Sequence, residues 1–246
     1  MPPRLGALEL KALVRCYGLP YSAALGIDLH SRRPAELSKW FLASMLYAKP
    51  IREETATRTY RTFEAEDRTT AQRIVGAGWE GLVGLLDAGG YVRYDFSTAD
   101  RLLGVFGNLQ AKYGGDLNRL HAAAKDSGDL ERLLKGLGKG IGDVTVAILL
   151  RDLQGIWSKA KPRLTPLERL AMRKLGLSES ALEATARRLR VNPVRLRTAL
   201  ARYGIRLRRG EGSPASSSRA LPPGIPTLPA QPGRRAVIAR HLLGTR

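Results

Sequence analysis

The sequence predicts an all-α protein, and three observations carry that prediction. Nearly every segment with a clear hydrophobic period repeats its apolar residues at three- and four-residue steps, the spacing of one helix face. No alternating apolar and polar run of useful length marks a strand. Capping residues and turns containing Gly or Asp separate the periodic segments.

Taken in order, helical periods run over residues 5–17, 35–47, 53–63, 69–75, 79–86, 97–113 and 116–124. Thr98, Asp116 and Ser178 carry the short oxygen-bearing side chains that suit an N-cap. Residues 129–135 (DLERLLK) are helical in spacing and lead into a glycine-rich bend, after which 144–149 begins another apolar helix. A second group follows Pro162, at 166–175, 178–190 and 193–203. Beyond Arg209 the composition turns to Pro, Ser and Gly without period, so 210–235 is expected to be disordered, with a short helix at 236–243. No internal repeat is visible.

Composition narrows the function classes. With 246 residues, 43% hydrophobic and 26% charged, the chain can bury the core of one or two domains. No apolar run approaches a membrane span, so no membrane partner is expected. The opening MPPRLGALELK lacks the apolar core of a signal peptide, and the expected location is cytoplasmic, with the nucleoid. A lone Cys16 excludes an internal disulfide, a cysteine-based zinc site and a four-cysteine iron–sulfur cluster. His30, His121 and His241 are scattered, and neither a metal nor another cofactor is expected.

The net charge of +19 points to a polyanionic partner. Its distribution is uneven. Residues 1–157 hold 21 basic and 18 acidic side chains, whereas residues 158–246 hold 20 and 4. The C-terminal third is the electrostatic footprint.

The bend itself reads LLKGLGKGIGDVTVAILLRD over 133–152. Gly138, Gly140 and Gly142 permit positive φ or a close approach to something bulky. They open onto a helix N-terminus, whose unpaired N–H groups and positive dipole end suit a phosphate. Lys135 and Lys139 flank the spot, and the arrangement reads as a clamp on a DNA backbone. A plain tight turn is the bland alternative. A dinucleotide fingerprint would need a preceding strand, which is absent.

Farther on, Ala186, Leu189, Val191, Pro193, Leu196 and Leu200 carry spacing that resembles a bacterial helix-turn-helix, with Arg190 where the turn glycine would stand. Its second helix would offer Arg195, Arg197, Thr198 and Arg202 to base edges or phosphates. The alternative is a pair of amphipathic helices whose basic faces grip the backbone.

Residues 40–150 resemble the helix-hairpin-helix (endonuclease III-like) DNA glycosylase superfamily. KWFLASMLYAKPIREETATRTYRTF is similar to that family's second and third helices with their loop, and KGIGDVTVAILL falls at its hairpin. The resemblance implies a core of about six helices around the hairpin (35–157) and a smaller helical domain. That domain would combine the N-terminal helix (1–34) with a basic segment (158–209), and a tail (210–246) would follow. It implies double-stranded DNA in the cleft, kinked, with one nucleotide extruded. The N–H groups of Gly140 and Gly142 would hold a phosphate, Thr145 matches the hairpin threonine, and Lys49 stands where the family inserts a polar side chain.

Departures accompany the match. Val144 occupies the position of the Schiff-base lysine, no carboxylate lies between Asp152 and Glu168, and the iron–sulfur loop is missing. Asp143 and Asp152 are the nearest carboxylates able to stabilise an oxocarbenium sugar. Glu53 and Glu54 read as a solvated helix start. The expectation is DNA base-excision repair or damage recognition without the Schiff-base step. The alternative is a non-catalytic, architectural or regulatory DNA binder. RNA is less favoured, since no aromatic stacking strip appears.

Overall fold

A computed structural model describes residues 6–211. Among them are thirteen α-helices, one short 3-10 turn and no strand. The all-α expectation holds; the tail beyond Glu211, with its expected disorder and terminal helix, lies outside the described residues. The helices are α1 (Ala7–Tyr17), α2 (Tyr21–Ala24), α3 (Pro34–Tyr47), α4 (Glu53–Ala65), α5 (Ala71–Gly76), α6 (Gly78–Ala88) and α7 (Asp95–Tyr113). They continue as α8 (Leu117–Ala123), α9 (Ser127–Lys135), α10 (Asp143–Asp152), α11 (Pro166–Leu175), α12 (Leu182–Leu189) and α13 (Pro193–Arg208), with the 3-10 turn at Leu29–Ser31.

Local signals explain most boundaries. Asp116 caps α8 by accepting from the Asn118 N–H, and Thr165 with Glu168 forms a reciprocal capping box on α11. Two expected caps are corrected. Thr98 lies buried inside α7, which starts at Asp95, and Ser178 opens a turn four residues before α12. The four-residue α2 and the 3-10 turn are too short to show a period, and the sequence reading misses both.

The buried apolar side chains form two clusters. The larger is centred on α3, whose Leu37, Trp40, Phe41, Leu42, Ala43 and Leu46 are all fully buried on several helix faces. Helices α4 to α10 surround it, and Trp40 Nε1 donates to the Leu149 carbonyl of α10 at 3.0 Å. Each such side chain contributes about 1.5–3 kcal/mol on burial, which outweighs any helix propensity. The smaller cluster joins Leu10, Leu13 and Val14 of α1 to residues of α11, α12 and α13. Thus the first and last helices of the described residues share one cluster.

Helix α13 is the centre of this second cluster. At Gly204 it meets α11 so closely that a Cβ would stand 2.1 Å from the Leu167 carbonyl oxygen. Arg190 ends α12 in the left-handed region (φ 55), the conformation a helix-turn-helix glycine usually supplies.

Candidate nucleic-acid interface

The hairpin between α9 and α10 is anchored by apolar residues, with Gly138 and Gly140 half-buried and Gly142 exposed. Leu137 and Ile141 are buried in the larger core, while Asn108 Nδ2 donates to the Leu137 carbonyl at 2.9 Å. Between them Gly138 and Gly140 take φ values of 153 and 106, reserved in practice for glycine. Thr145 Oγ1 donates to the Gly140 carbonyl at 3.2 Å and closes the bend. Thr145 is itself buried, so it shapes the hairpin rather than touching a ligand.

Gly142 is the N-cap of α10 and provides no side-chain cap. Among the described residues, no acceptor is found for the N–H groups of Gly140, Gly142, Asp143 or Val144. These donors, with the dipole end of a ten-residue helix, form a cradle for an anion.

The cradle opens into a groove lined by Ala48, Lys49, Arg101 and residues 138–145. Lys49 sits in the tight α3–α4 turn, where the Ile51 N–H donates to its carbonyl at 2.8 Å. Burial, and then the charge of Arg101, hold its amine below the usual lysine pKa. Arg101, from α7, leans over the hairpin; a Cβ on Gly140 would meet its Cδ at 2.7 Å. Neither cation has a carboxylate partner among the described residues. Lys139 is exposed at the tip. Lys135, by contrast, is paired with Asp143, whose carboxyl it holds below the ordinary range.

On its other side Lys49 borders a cavity of about 210 Å³ between the two clusters. Lys49, Ala48 and Val144 line both spaces. The cavity walls include Tyr21 and Tyr47, whose ring centroids lie 4.8 Å apart, with Ile148, Leu167 and Ile205. This volume is below the roughly 300–1,000 Å³ of drug-sized sites, so it suits one small group. Burial pushes both phenols far above their ordinary pKa, and they stay neutral.

Glu53 is the one carboxylate among the cavity-lining residues. It accepts from the Tyr21 hydroxyl at 3.0 Å and from Arg202 Nε and Nη2 at 3.0 and 2.9 Å. The Arg202 guanidinium also lies 4.2 Å from the Tyr21 ring centroid and donates to the Tyr17 and Leu19 carbonyls.

Several expected site residues are therefore placed elsewhere. Asp152 is buried, accepts from the Ser22 N–H and Oγ at 3.0 and 2.9 Å, and pairs with Arg151; it ties α10 to α2 and does not line the cavity. Asp143 faces solvent beside Lys135. Arg197 is 4% exposed, spent on Glu168 at 2.8 Å and on the carbonyls of Pro162 and Arg163. With Thr198 buried and Arg202 bound to Glu53, only Arg195 of the four remains exposed. A helix wrapped by α1, α11 and α12 cannot lay those side chains in a groove of DNA.

Lys49 and the hairpin line one groove, a point the sequence left open; the sequence reading misses Arg101, Arg151, Tyr21 and Tyr47 and passes over Glu53. Only Glu53 carried a signal, its place just after the Lys49 turn. Among the described residues no group of three His, Cys, Asp or Glu is arranged to hold a metal, and no helix is long and apolar enough to cross a membrane. Comparison with known families, characterised proteins and solved structures finds no match.

Proposed function

We propose that the chain binds double-stranded DNA through the hairpin groove and receives an extruded nucleotide in the adjoining cavity, in DNA-damage recognition or base excision. The observation that carries this reading is the position of Lys49. One side chain borders both the hairpin groove with its free amides and a small cavity with tyrosine and aliphatic walls, so a strand held at the hairpin has a cavity within one residue's reach. Lys49, Arg101 and Lys139 neutralise phosphates, the hairpin amides hold one phosphate, and the half-buried Tyr47 offers its ring to a base. The resemblance to helix-hairpin-helix glycosylases supports the same arrangement.

If a base is released, water attacks the sugar and Glu53 is the carboxylate that faces the developing positive charge. Val144 offers no amine for a Schiff base at the family position. The saturation of Glu53 by Arg202 and Tyr21 favours the second reading, recognition without chemistry. The test compares the full chain on an intact duplex and on one bearing a single tetrahydrofuran abasic analogue. Extrusion costs a few kcal/mol and least for an unpaired base; the base opposite the analogue has no partner to leave, so at least about tenfold tighter binding is expected. Equal affinities overturn the reading. Release of alkylated, oxidised or deaminated bases, lost in Glu53→Gln, separates the enzyme from the binder.

A further inference from the structure

The cavity holds a cation that none of the DNA contacts above employs. Arg151, in the last turn of α10, is 1% exposed and lines the cavity. Its Nε donates to Asp152 at 3.2 Å, and its guanidinium carbon lies 5.1 Å from the Tyr21 ring centroid. Its Nη2 is buried and has no acceptor among the described residues. Burial works against the charge, but Asp152 and Glu168 outweigh it, and the group is held cationic.

A buried donor of a charged group left unpaired is costly, and such groups in folded proteins have a reason. The other buried orphans, on Thr98, His121, Gln154 and Trp157, lie away from the cavity. Of these five residues only Arg151 lines the cavity.

We infer that Arg151 reads the edge of the extruded nucleotide and selects a keto purine, of the guanine and hypoxanthine type. This rests on the cavity being a base pocket, as proposed above. Tyr47, Ile148, Leu167 and Ile205 give the cavity apolar walls, and the orphaned polar group on its lining is a donor that never accepts. Guanine and hypoxanthine place a carbonyl oxygen beside the N7 acceptor, the pair an arginine fork matches. Adenine has an amino donor where the carbonyl would be, so two donors would face each other.

The test uses the full chain and labelled duplexes of one sequence. Each carries a single hypoxanthine or adenine opposite a tetrahydrofuran residue, so that neither base is paired. Hypoxanthine is expected to bind at least about fivefold tighter, the low end of what such a fork discriminates. The charge-balanced double variant Arg151→Met/Asp152→Asn is expected to bring the ratio to near one, with its melting temperature reporting the fold. A wild-type ratio near one overturns the inference, as it would if the guanidinium held a backbone phosphate. A ratio that survives in the folded double variant overturns it as well. If the ratio is near one while the abasic duplex is still preferred over the intact one, only the Arg151 assignment falls. If that preference is absent too, the base-pocket reading falls with it.

Discussion

Replacing Gly142 with Asp separates what the hairpin does for the fold from what it does for a ligand. Gly142 has φ −95 and ψ −177, backbone that any residue adopts, and a Cβ there meets nothing within 4 Å. Asp is a better N-cap than Gly by a few tenths of a kcal/mol, and its charge at the helix start adds about 0.3–1 kcal/mol. The melting temperature should be unchanged or rise by about 1–4 °C. The same carboxylate takes the free N–H groups of the first turn and repels phosphate. A hydrogen bond to a charged group contributes about 1.5–3 kcal/mol, so losing one weakens binding by roughly 10- to 150-fold. The unpaired cations Lys49, Arg101 and Lys139 set a wild-type salt slope of about −2.7, and one added negative charge should flatten it by about 0.9. Fluorescence anisotropy of a labelled duplex from about 50 to 200 mM salt measures both quantities. A folded Gly142→Asp protein with wild-type affinity at every salt concentration refutes the reasoning. Gly140 gives a poorer test, since φ 106 and the nearby Arg101 would strain any substitution.

Two further outcomes concern the buried charges. Asp152→Asn leaves the Arg151 cation without the carboxylate it bonds, and urea unfolding should show a loss of about 3–5 kcal/mol; a loss below about 1 kcal/mol would mean that Asp152 is not the balancing charge. Burial opposes the charge of Glu168, yet Arg197 overrides it and the carboxyl pKa is lowered from 4.5. Its stabilisation is therefore fully present above pH 4.5 and is lost as pH falls through the lower folded value. The wild-type melting temperature should drop along that acid limb, and Glu168→Gln should remove this component; an identical limb in both proteins excludes the pair as its source.

Part of the site was legible in the chain because its signals are local. Glycine spacing at 138, 140 and 142 specified a bend, and the Lys49 turn follows directly from two neighbouring helical periods. The arginines of α13 show where local reading ends. Arg195 and Arg197 are two residues apart, yet one faces solvent and the other closes a buried pair with Glu168. Nothing within α13 distinguishes them; the packing of α1 and α11 around it does. For Asp152 the sequence left a salt bridge and a site carboxylate equally open; its donor Ser22 lies 130 residues away in sequence.

The sequence by itself determined the helical class and the glycine bend, since backbone preference and hydrophobic period depend on residues a few positions apart. Tertiary structure alone decided which charges are free. Glu53 meets Arg202 across 149 residues, and Arg151 reaches a cavity whose walls come from residues 21–56 and 144–208. Whether a charged side chain binds something or merely balances a neighbour is set by contacts between distant segments, and those exist only once the chain has folded.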